Sequence, residues 1–267
     1  MRSAGICLGA SNISLVILNG SHGDIKIETA YTTAHNGHVK EKLLEVFDMF
    51  GLHDIDRLAA TGRKFRQFIN MSSIPEPEAV EWAFKFTKEK YGGTDVIVSA
   101  GGETFMLYKL DNLGRICGVQ TGNKCASGTG EFYLQQLKRM GLTPSDVTYE
   151  EDIEPYNVSG RCSVFCKSDC THALNKGVPK QKVVAGLSNM MASKIIELVG
   201  TIGGKHILLT GGTARNKAMV NFLLQHNLDL TVADEAIYFE ALGAALWALN
   251  NETKKTGKND IFISEKS

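Results

Sequence analysis

Two cysteines stand where a bend in the chain leads into a predicted helix. Cys125 precedes the apolar helical pattern around Phe132, and Cys162 precedes a helix predicted to begin near Ser163. A thiol at a helix N-terminus ionises more readily, because the helix dipole and the free N–H groups stabilise negative charge. Thiolates are the ligands of iron–sulfur clusters, and one cysteine from each segment, doubled by a two-fold axis, would supply four of them.

Two further cysteines, Cys166 and Cys170, follow Cys162 at four-residue spacing, so a helix would place all three sulfurs near one face. Three ligands on successive turns rarely converge on one small ion. Two interpretations stay open. Cys166 and Cys170 are interior residues beside the cluster, which we favour, or they complete a four-cysteine site within one subunit together with Cys125. The spacing around His172 does not match a structural zinc site.

Glycine-containing segments recur at four places where a nucleotide phosphate could approach the main chain. Glycine has no Cβ, so backbone N–H donors can come close to a phosphate. The candidate nucleotide-binding residues are Ser11, Asn12, Ser14, Gly101, Gly102, Glu103, Gly128, Thr129, Gly130, Gly211, Gly212 and Thr213. The last of these segments follows an apolar strand, and we expect it to face the adenosine end of the nucleotide. Each segment alone is a common turn signal. The prediction of a nucleotide site therefore depends on the occurrence of all four segments in this order along two repeated lobes.

A strand–turn–strand plan occurs twice, about 90 residues apart, once from Gly5 with a hairpin signal at Asn19-Gly20 and again from Asp95. Each copy has a phosphate-sized turn between its first two strands. This pattern predicts an α/β protein with the two-lobed fold of the actin, hexokinase and Hsp70 ATPases, built from duplicated ribonuclease H-like lobes. The predicted domains are an N-terminal lobe at 1–95, a C-terminal lobe with the cluster-ligand helices at 96–250, and a loosely held polar tail at 251–267.

Composition excludes several classes of protein. The chain has 267 residues, 43% of them hydrophobic and 22% charged, which fits a globular protein with an ordinary core. Lys and Arg together number 29, as do Asp and Glu, so neither nucleic acid nor an anionic membrane is an expected partner. The start lacks the pattern of a signal peptide, and no apolar stretch of about 18 residues occurs, so we expect a cytoplasmic protein whose cysteines are buried thiols and metal ligands.

Four segments together resemble one family: Gly122 to Phe132, Arg161 to Phe165, Thr210-Gly211-Gly212 and Ala241 to Leu246. They look like the activators of 2-hydroxyacyl-CoA dehydratases and the related ATPase subunits of benzoyl-CoA reductases, over roughly residues 5 to 249. The resemblance implies a homodimer of actin-like ATPases that holds one [4Fe–4S] cluster on its axis through Cys125 and Cys162. It also implies ATP/ADP and Mg²⁺ as cofactors and ferredoxin or flavodoxin as electron donor. The implied activity is ATP-driven injection of one low-potential electron into an iron–sulfur acyl-CoA dehydratase or reductase.

One departure from that family concerns catalysis. Its members carry an Asp at the entrance to each of the first two phosphate loops, and these positions are predicted to be Leu8 and Ser99 here. Without the carboxylates Mg²⁺ loses its usual anchor. Glu103 is the candidate catalytic substitute, as a water-mediated ligand, and Asp169 is a more remote one. Four alternatives follow: a slow ATPase, a nucleotide binder or scaffold without hydrolysis, a module completed by a partner chain, and, least favoured, a small-molecule kinase, because no carboxylate base stands out.

Overall fold

The structure of the chain is a computed structural model that describes residues 1–21, 24–63, 68–122, 129–148, 153–160, 162–203, 205–257 and 260–262. The strands are β1 Arg2–Leu8, β2 Asn12–Ser21, β3 Asp24–Ala34, β4 Arg57–Thr61, β5 Val96–Ala100, β6 Phe105–Leu110, β7 Ile116–Thr121, β8 His206–Thr210 and β9 Asp229–Val232. The α-helices are α1 Val39–Met49, α2 Glu76–Thr87, α3 Gly130–Arg139, α4 Ser163–Asn175, α5 Lys180–Gly200, α6 Lys217–Gln225 and α7 Phe239–Asn250. The chain forms two compact units, Met1–Gly92 with Ile237–Ser267, and Gly93–Ala236.

Each unit is built on its own sheet, and the two sheets share one strand plan. The first has the order β3-β2-β1-β4, and the second has the order β7-β6-β5-β8-β9. In each, the first three strands in sequence pair antiparallel, and the next strand pairs parallel to the first of them. A crossover containing at least one helix precedes that parallel strand, as parallel pairing requires. The predicted repeat of one topology is therefore confirmed.

In the first unit, strand β1 separates two different surroundings. Ala4, Ile6 and Leu8 belong to an apolar core with residues of α1. On the opposite face, Ser3 Oγ donates a hydrogen bond of 2.9 Å to a main-chain carbonyl of α7. Because side chains alternate along a strand, each residue of β1 is committed to one of these surroundings.

Helix α7 is held between β1 and α2 by very close backbone contacts. A Cβ on Gly5 of β1 would lie 2.1 Å from the Ala241 carbonyl oxygen, and a Cβ on Gly243 would lie 1.7 Å from the Ala79 carbonyl oxygen. Only glycine permits such an approach. The predicted boundaries assigned this helix to the C-terminal lobe, whereas it packs against strands β1, β2 and β4 of the first unit.

Two other expectations differ from the structure. Asn19 and Gly20 do not form the predicted hairpin turn, because both lie inside β2 and pair with Lys26 and Ile25. Part of the predicted loose tail is also anchored: Ile261 is fully buried in the apolar core of the first unit, and its carbonyl accepts a hydrogen bond from the amide of Asn70 at 2.6 Å. Burial of the apolar Ile261 side chain therefore anchors this part of the tail, although most residues around it in the sequence are polar.

In the second unit, α5 is the central helix and contacts α3, α4 and α6. By length and composition alone, this helix could cross a membrane, with a mean hydropathy of 1.3 over its most apolar window. However, 67% of that window is buried inside the protein, as in the core helix of a soluble domain. Strand β5 is buried along its whole length and ends next to Gly101.

Candidate functional site

Three of the predicted glycine loops meet in the second unit around the carbonyl of Gly101. The amide of Gly130 donates to this carbonyl oxygen at 3.3 Å, and the hydroxyl of Thr213 donates to it at 3.2 Å. The next amide, of Glu131, donates to the carbonyl of Gly102 at 2.8 Å. Residues 101–102, 129–131 and 211–213 therefore form one structure, which we call the glycine cluster.

Two glycines of this cluster cannot carry a side chain without moving their neighbours. A Cβ on Gly130 would lie 2.3 Å from Thr213 Oγ1, and a Cβ on Gly211 would lie 2.5 Å from the Ala100 carbonyl oxygen. Gly211 also has a φ of +89°, a left-handed conformation that side chains disfavour. The spacing of glycines in the sequence thus reflects close contact between the ends of β5, β8 and α3.

The start of α3 is already hydrogen-bonded within the protein. Thr129 caps the helix, because its hydroxyl accepts from the amide of Phe132 at 3.4 Å. The two amides before it donate to Gly101 and Gly102. The positive end of the helix dipole still faces the cluster, but these three amides are not available to a phosphate. Gly128, predicted to act beside them, lies outside the described residues.

The other predicted loop belongs to the first unit and connects β1 to β2. It is closed by a hydrogen bond of 3.0 Å from the amide of Gly9 to the carbonyl of Asn12, with Ser11 between them. The hydroxyl of Ser14 donates to the carbonyl of Ile237 at 2.9 Å and accepts from Thr32 at 3.0 Å. These bonds give Ser14 a role in joining the strand to the segment before α7, and its predicted contact with nucleotide stays a prediction.

The surroundings of Leu8 do not suit the carboxylate that the family resemblance places there. Its side chain is only 2% exposed and belongs to the apolar core of the first unit with Ile6 and Leu43. A carboxylate there would be buried without a partner, which costs several kcal/mol or more. Because side chains alternate along β1, the preceding residue Cys7 lies on the opposite, polar face of the strand, whereas Leu8 faces the apolar core.

Charged groups of the first unit surround Cys7. Burial raises the pKa of the Cys7 thiol well above its usual value of 9.0, and the carboxylates of Glu240 and Glu76 raise this pKa further, whereas Arg63 lowers it. Arg63, whose side chain is 36% exposed, forms an ion pair with Glu76 at 3.1 Å. Cys7 therefore remains a protonated thiol near neutral pH.

The second position, Ser99, is buried in β5, where it pairs with Met106 and Thr210. Glu103, the predicted substitute, is exposed. Asp169, the more remote candidate, accepts a hydrogen bond from the amide of Ser159 at 2.8 Å. Within the described part of the chain, no three His, Cys, Asp or Glu side chains are grouped so that they could hold a metal ion.

The cysteines of α4 divide into one accessible thiol and two buried ones. Cys162 is the N-cap residue of the helix, is partly exposed, and makes no side-chain capping hydrogen bond. Cys166 is fully buried, with its Sγ 3.9 Å from Met190 Sδ, and Cys170 is 3% exposed. A hydrogen bond with Cys166 lowers the pKa of Cys170. Cys125, the other predicted ligand, lies outside the described residues.

Cys117 and His172 both lie at the surface of the second unit. Cys117 departs from the expectation of buried thiols, because it is exposed, and its thiol donates to the carbonyl of Lys109 at 3.5 Å. His172 is exposed on α4. Asp95 immediately precedes β5, and its carboxylate accepts hydrogen bonds from the amides of Lys205 and His206 at the start of β8, at 3.2 and 3.3 Å, a backbone-capping role common for an aspartate at a strand end.

Comparison with known proteins agrees with this geometry. The chain is similar to the 2-hydroxyisocaproyl-CoA dehydratase activator of Clostridioides difficile, with 27% identity over 97% of this chain and 100% of that protein. It is equally similar to the activator of lactoyl-CoA dehydratase of Anaerotignum propionicum, with 27% identity over 96% and 100%. The solved structure of the activator of the 2-hydroxyisocaproyl-CoA dehydratase from Clostridium difficile with bound ADPNP superposes with a TM-score of 0.80, at 25% identity over 94% and 95% of the two chains.

The solved structure of the (R)-2-hydroxyglutaryl-CoA dehydratase component A of Acidaminococcus fermentans superposes with a TM-score of 0.76, at 22% identity over 94% and 98% of the two chains. The two structural matches confirm the predicted actin-like ATPase fold. Residues 5–248 match the family model described as the BadF/BadG/BcrA/BcrD ATPase family. That match spans nearly the whole chain and includes both units. The chain belongs to the BadF/BadG/BcrA/BcrD ATPase family.

Proposed function

We propose that this protein is an ATP-dependent activator that delivers one low-potential electron to a partner iron–sulfur enzyme, an acyl-CoA dehydratase or reductase. The observation that carries the proposal is the meeting of three separate glycine loops at the Gly101 carbonyl, in a chain that belongs to an ATPase family. The relatives named as dehydratase activators support this class of partner. Ferredoxin or flavodoxin is the proposed electron donor.

The glycine cluster would bind nucleotide through residues that its internal bonds leave accessible. The amide of Gly211 donates to the carbonyl of Ala236 at 2.7 Å, so Gly212 and Thr213 are the better candidates on that side for the adenosine end. Gly101 and Gly102 supply close backbone approach beside the start of α3. Any displacement of this cluster on nucleotide binding would reach α3 directly, because two of its first amides are bonded to Gly101 and Gly102.

The cysteines fit a cluster that is shared between two copies of the chain. Cys162 has a partly exposed thiol at the start of α4 that is not used for capping. Cys166 is buried against Met190 of α5, and Cys170 is buried and hydrogen-bonded to Cys166, which supports an interior role for both. We propose Cys125 and Cys162 of each copy as the ligands of one [4Fe–4S] cluster, which would supply one-electron transfer when bound.

The surface next to Cys162 supports a homodimer. Val164 and Phe165, in the first turn of α4, are 69% and 64% exposed. Two adjacent large apolar side chains in water favour burial by another chain, although single exposed apolar residues are common. We propose that a second copy covers them. The Phe165→Glu variant should then lower the mass measured in solution from that of a dimer to that of a monomer.

Iron analysis after anaerobic purification tests the cluster. The unaltered protein should be brown and contain about four iron and four sulfide per two chains, as one [4Fe–4S] cluster requires. Cys125→Ala and Cys162→Ala should each abolish iron binding. Cys166→Ala is the matched control in the same helix and should keep it. Colourless protein that cannot be reconstituted with iron and sulfide would overturn the electron-transfer proposal.

A second function is favoured by the residues at the strand ends. The family resemblance places metal-anchoring carboxylates at Leu8 and Ser99, and neither these residues nor Cys7, the polar-face neighbour of Leu8, is a carboxylate. We therefore propose, as the alternative, that the chain binds nucleotide without hydrolysing it. Binding of ATP with no release of phosphate would support this alternative. Phosphate release that depends on the partner or on the cluster would instead support the activator. The cytoplasmic location stays a prediction in either case.

A further inference from the structure

One histidine holds the first-unit loop between β1 and β2 at two points. His35 follows β3 and is only 5% exposed. Its backbone amide donates to the carbonyl of Ser11 at 3.1 Å, and its ring Nε2 lies 3.3 Å from the carbonyl oxygen of Gly9. On the other side of the ring, Nδ1 accepts a hydrogen bond from the amide of Gly37 at 3.1 Å.

The Gly37 bond fixes which ring nitrogen carries the proton. A backbone N–H can only donate, so Nδ1 must be an acceptor, and the proton of a neutral imidazole is then on Nε2. Nε2 therefore donates to the carbonyl of Gly9. In this way His35 orients both the Gly9 and the Ser11 carbonyls toward itself.

The direction of these carbonyls determines where the loop amides point. In a trans peptide the C=O and the following N–H point in opposite directions. With the Gly9 carbonyl turned toward His35, the amide of Ala10 points away from it. The same relation holds for the Ser11 carbonyl and the amide of Asn12. The Ala10 amide thus points away from the imidazole and the Asn12 amide points away from the His35 backbone, so one short loop carries two N–H donors turned away from His35, an arrangement suited to an anion.

We infer that His35 is a positioning residue for nucleotide phosphate, holding the loop so that the amides of Ala10 and Asn12 are aimed at the phosphate chain. This inference rests on the proposed nucleotide-binding function. It predicts an effect on the phosphate part of the ligand alone, since His35 orients donors for phosphate and not for the nucleoside. Affinity for adenosine should be independent of the imidazole.

Two variants separate the two bonds of the ring. In His35→Asn the side-chain oxygen can replace Nδ1 as acceptor for Gly37, but the shorter side chain has no donor at the position of Nε2. In His35→Gln the side-chain amide can reach the Gly9 carbonyl, but no acceptor remains at the position of Nδ1. We expect about a tenfold loss of ADPNP affinity in His35→Asn, corresponding to about 1.4 kcal/mol, and less than about threefold in His35→Gln, with adenosine affinity of both within about twofold.

Calorimetric titration of the full chain with ADPNP and with adenosine tests this order. His53→Asn, at an exposed histidine of the same unit, is the control and should match the unaltered protein. A His35→Asn variant that binds ADPNP like the unaltered protein, or that loses adenosine affinity equally, overturns the inference while the proposed function stands. If the unaltered protein does not bind ADPNP, both fail.

A second measurement does not depend on the folding of a variant. In the unaltered protein, saturating ADPNP should slow hydrogen exchange of the Ala10 and Asn12 amides, measured by nuclear magnetic resonance. Protection of both amides supports their contact with phosphate. Exchange at Ala10 that is unchanged by bound ADPNP overturns the inference.

Discussion

The contact between Gly130 and Thr213 makes a sharp test of the glycine cluster. In Gly130→Ala the new Cβ would lie 2.3 Å from Thr213 Oγ1, so the hydroxyl must move and lose its 3.2 Å bond to Gly101. We expect a cost of about 1–3 kcal/mol in the free energy of unfolding of the second unit, as for other overpacked sites. Thr213→Ala alone should cost about 1 kcal/mol, the net value of one hydrogen bond.

Combining the two changes should cost much less than their sum. Without the Thr213 hydroxyl, the added methyl group at position 130 loses its closest contact and lies 3.1 Å from the Gly101 carbonyl oxygen and 3.4 Å from Gly102 Cα. Each single variant also loses the same hydrogen bond, from Thr213 Oγ1 to the Gly101 carbonyl, so the sum of the two single costs includes this bond twice. We therefore expect the double variant to be about 1–2 kcal/mol more stable than additivity predicts, well above the ~0.5 kcal/mol scatter of independent sites.

The assay must report on the second unit. Both tryptophans, Trp82 and Trp247, lie in the first unit, so urea unfolding is better followed by far-ultraviolet circular dichroism together with hydrogen exchange of β5. Gly200→Ala is the matched control, because a Cβ there meets nothing within 4 Å and the residue ends α5. It should be neutral or stabilising. Additive effects of Gly130→Ala and Thr213→Ala would refute the contact.

Three further predictions follow from the described residues. Leu8→Asp should cost about 4 kcal/mol or more in the free energy of unfolding, because the charge enters an apolar core without a partner. Cys7→Asp should cost less, because Arg63 partly offsets burial and the nearby Glu240 and Glu76; equal urea midpoints would contradict the assignment of faces. The hydroxyl of Tyr133 is hydrogen-bonded to Ser188, whose hydroxyl also accepts from the side-chain amide of Asn216 at 3.0 Å. Tyr133→Phe should therefore cost about 1 kcal/mol in the free energy of unfolding and Ser188→Ala about 2 kcal/mol, because the serine change removes a partner from both Tyr133 and Asn216. Because burial raises the pKa of Cys7 above 9.0, its contribution to stability is fully present below pH 9 and is lost as pH rises through the raised pKa; Cys7→Ala should therefore show a smaller loss of stability between about pH 8 and pH 10 than the unaltered protein.

Part of the fold and of the site was predictable because local signals repeat. The glycine turns, the alternation of apolar residues and the helix-capping positions before Ser163 and Phe132 each report on a few neighbouring residues. Helix α4 begins at Ser163 as predicted. The actin-like fold follows from the duplication of one such plan. The same local signals gave the wrong result at Asn19-Gly20, where strand pairing with β3 outweighs the turn preference.

Contacts that are distant in sequence could not be predicted in this way. Nothing near Ile261 shows that it fills the core of the first unit, and nothing near α7 shows that it packs against β1. His35 carried no motif either, and only the pairing of β2 with β3 brings it next to Gly9. The exchange of Leu8 for Cys7 as the polar-face residue has the same origin, since a shift of one residue reverses the face of a strand.

The sequence by itself determined which residues have the chemistry: glycines that admit a phosphate, thiols placed at helix starts, and the absence of carboxylates at two strand ends. Only the tertiary structure decided which of them act together. It brought the loops at 101, 130 and 213 to one carbonyl, buried Cys166 and Cys170, and left Cys162 accessible. The physical reason is that residue type and local conformation are short-range properties, whereas burial and hydrogen-bond partners depend on packing between elements far apart along the chain.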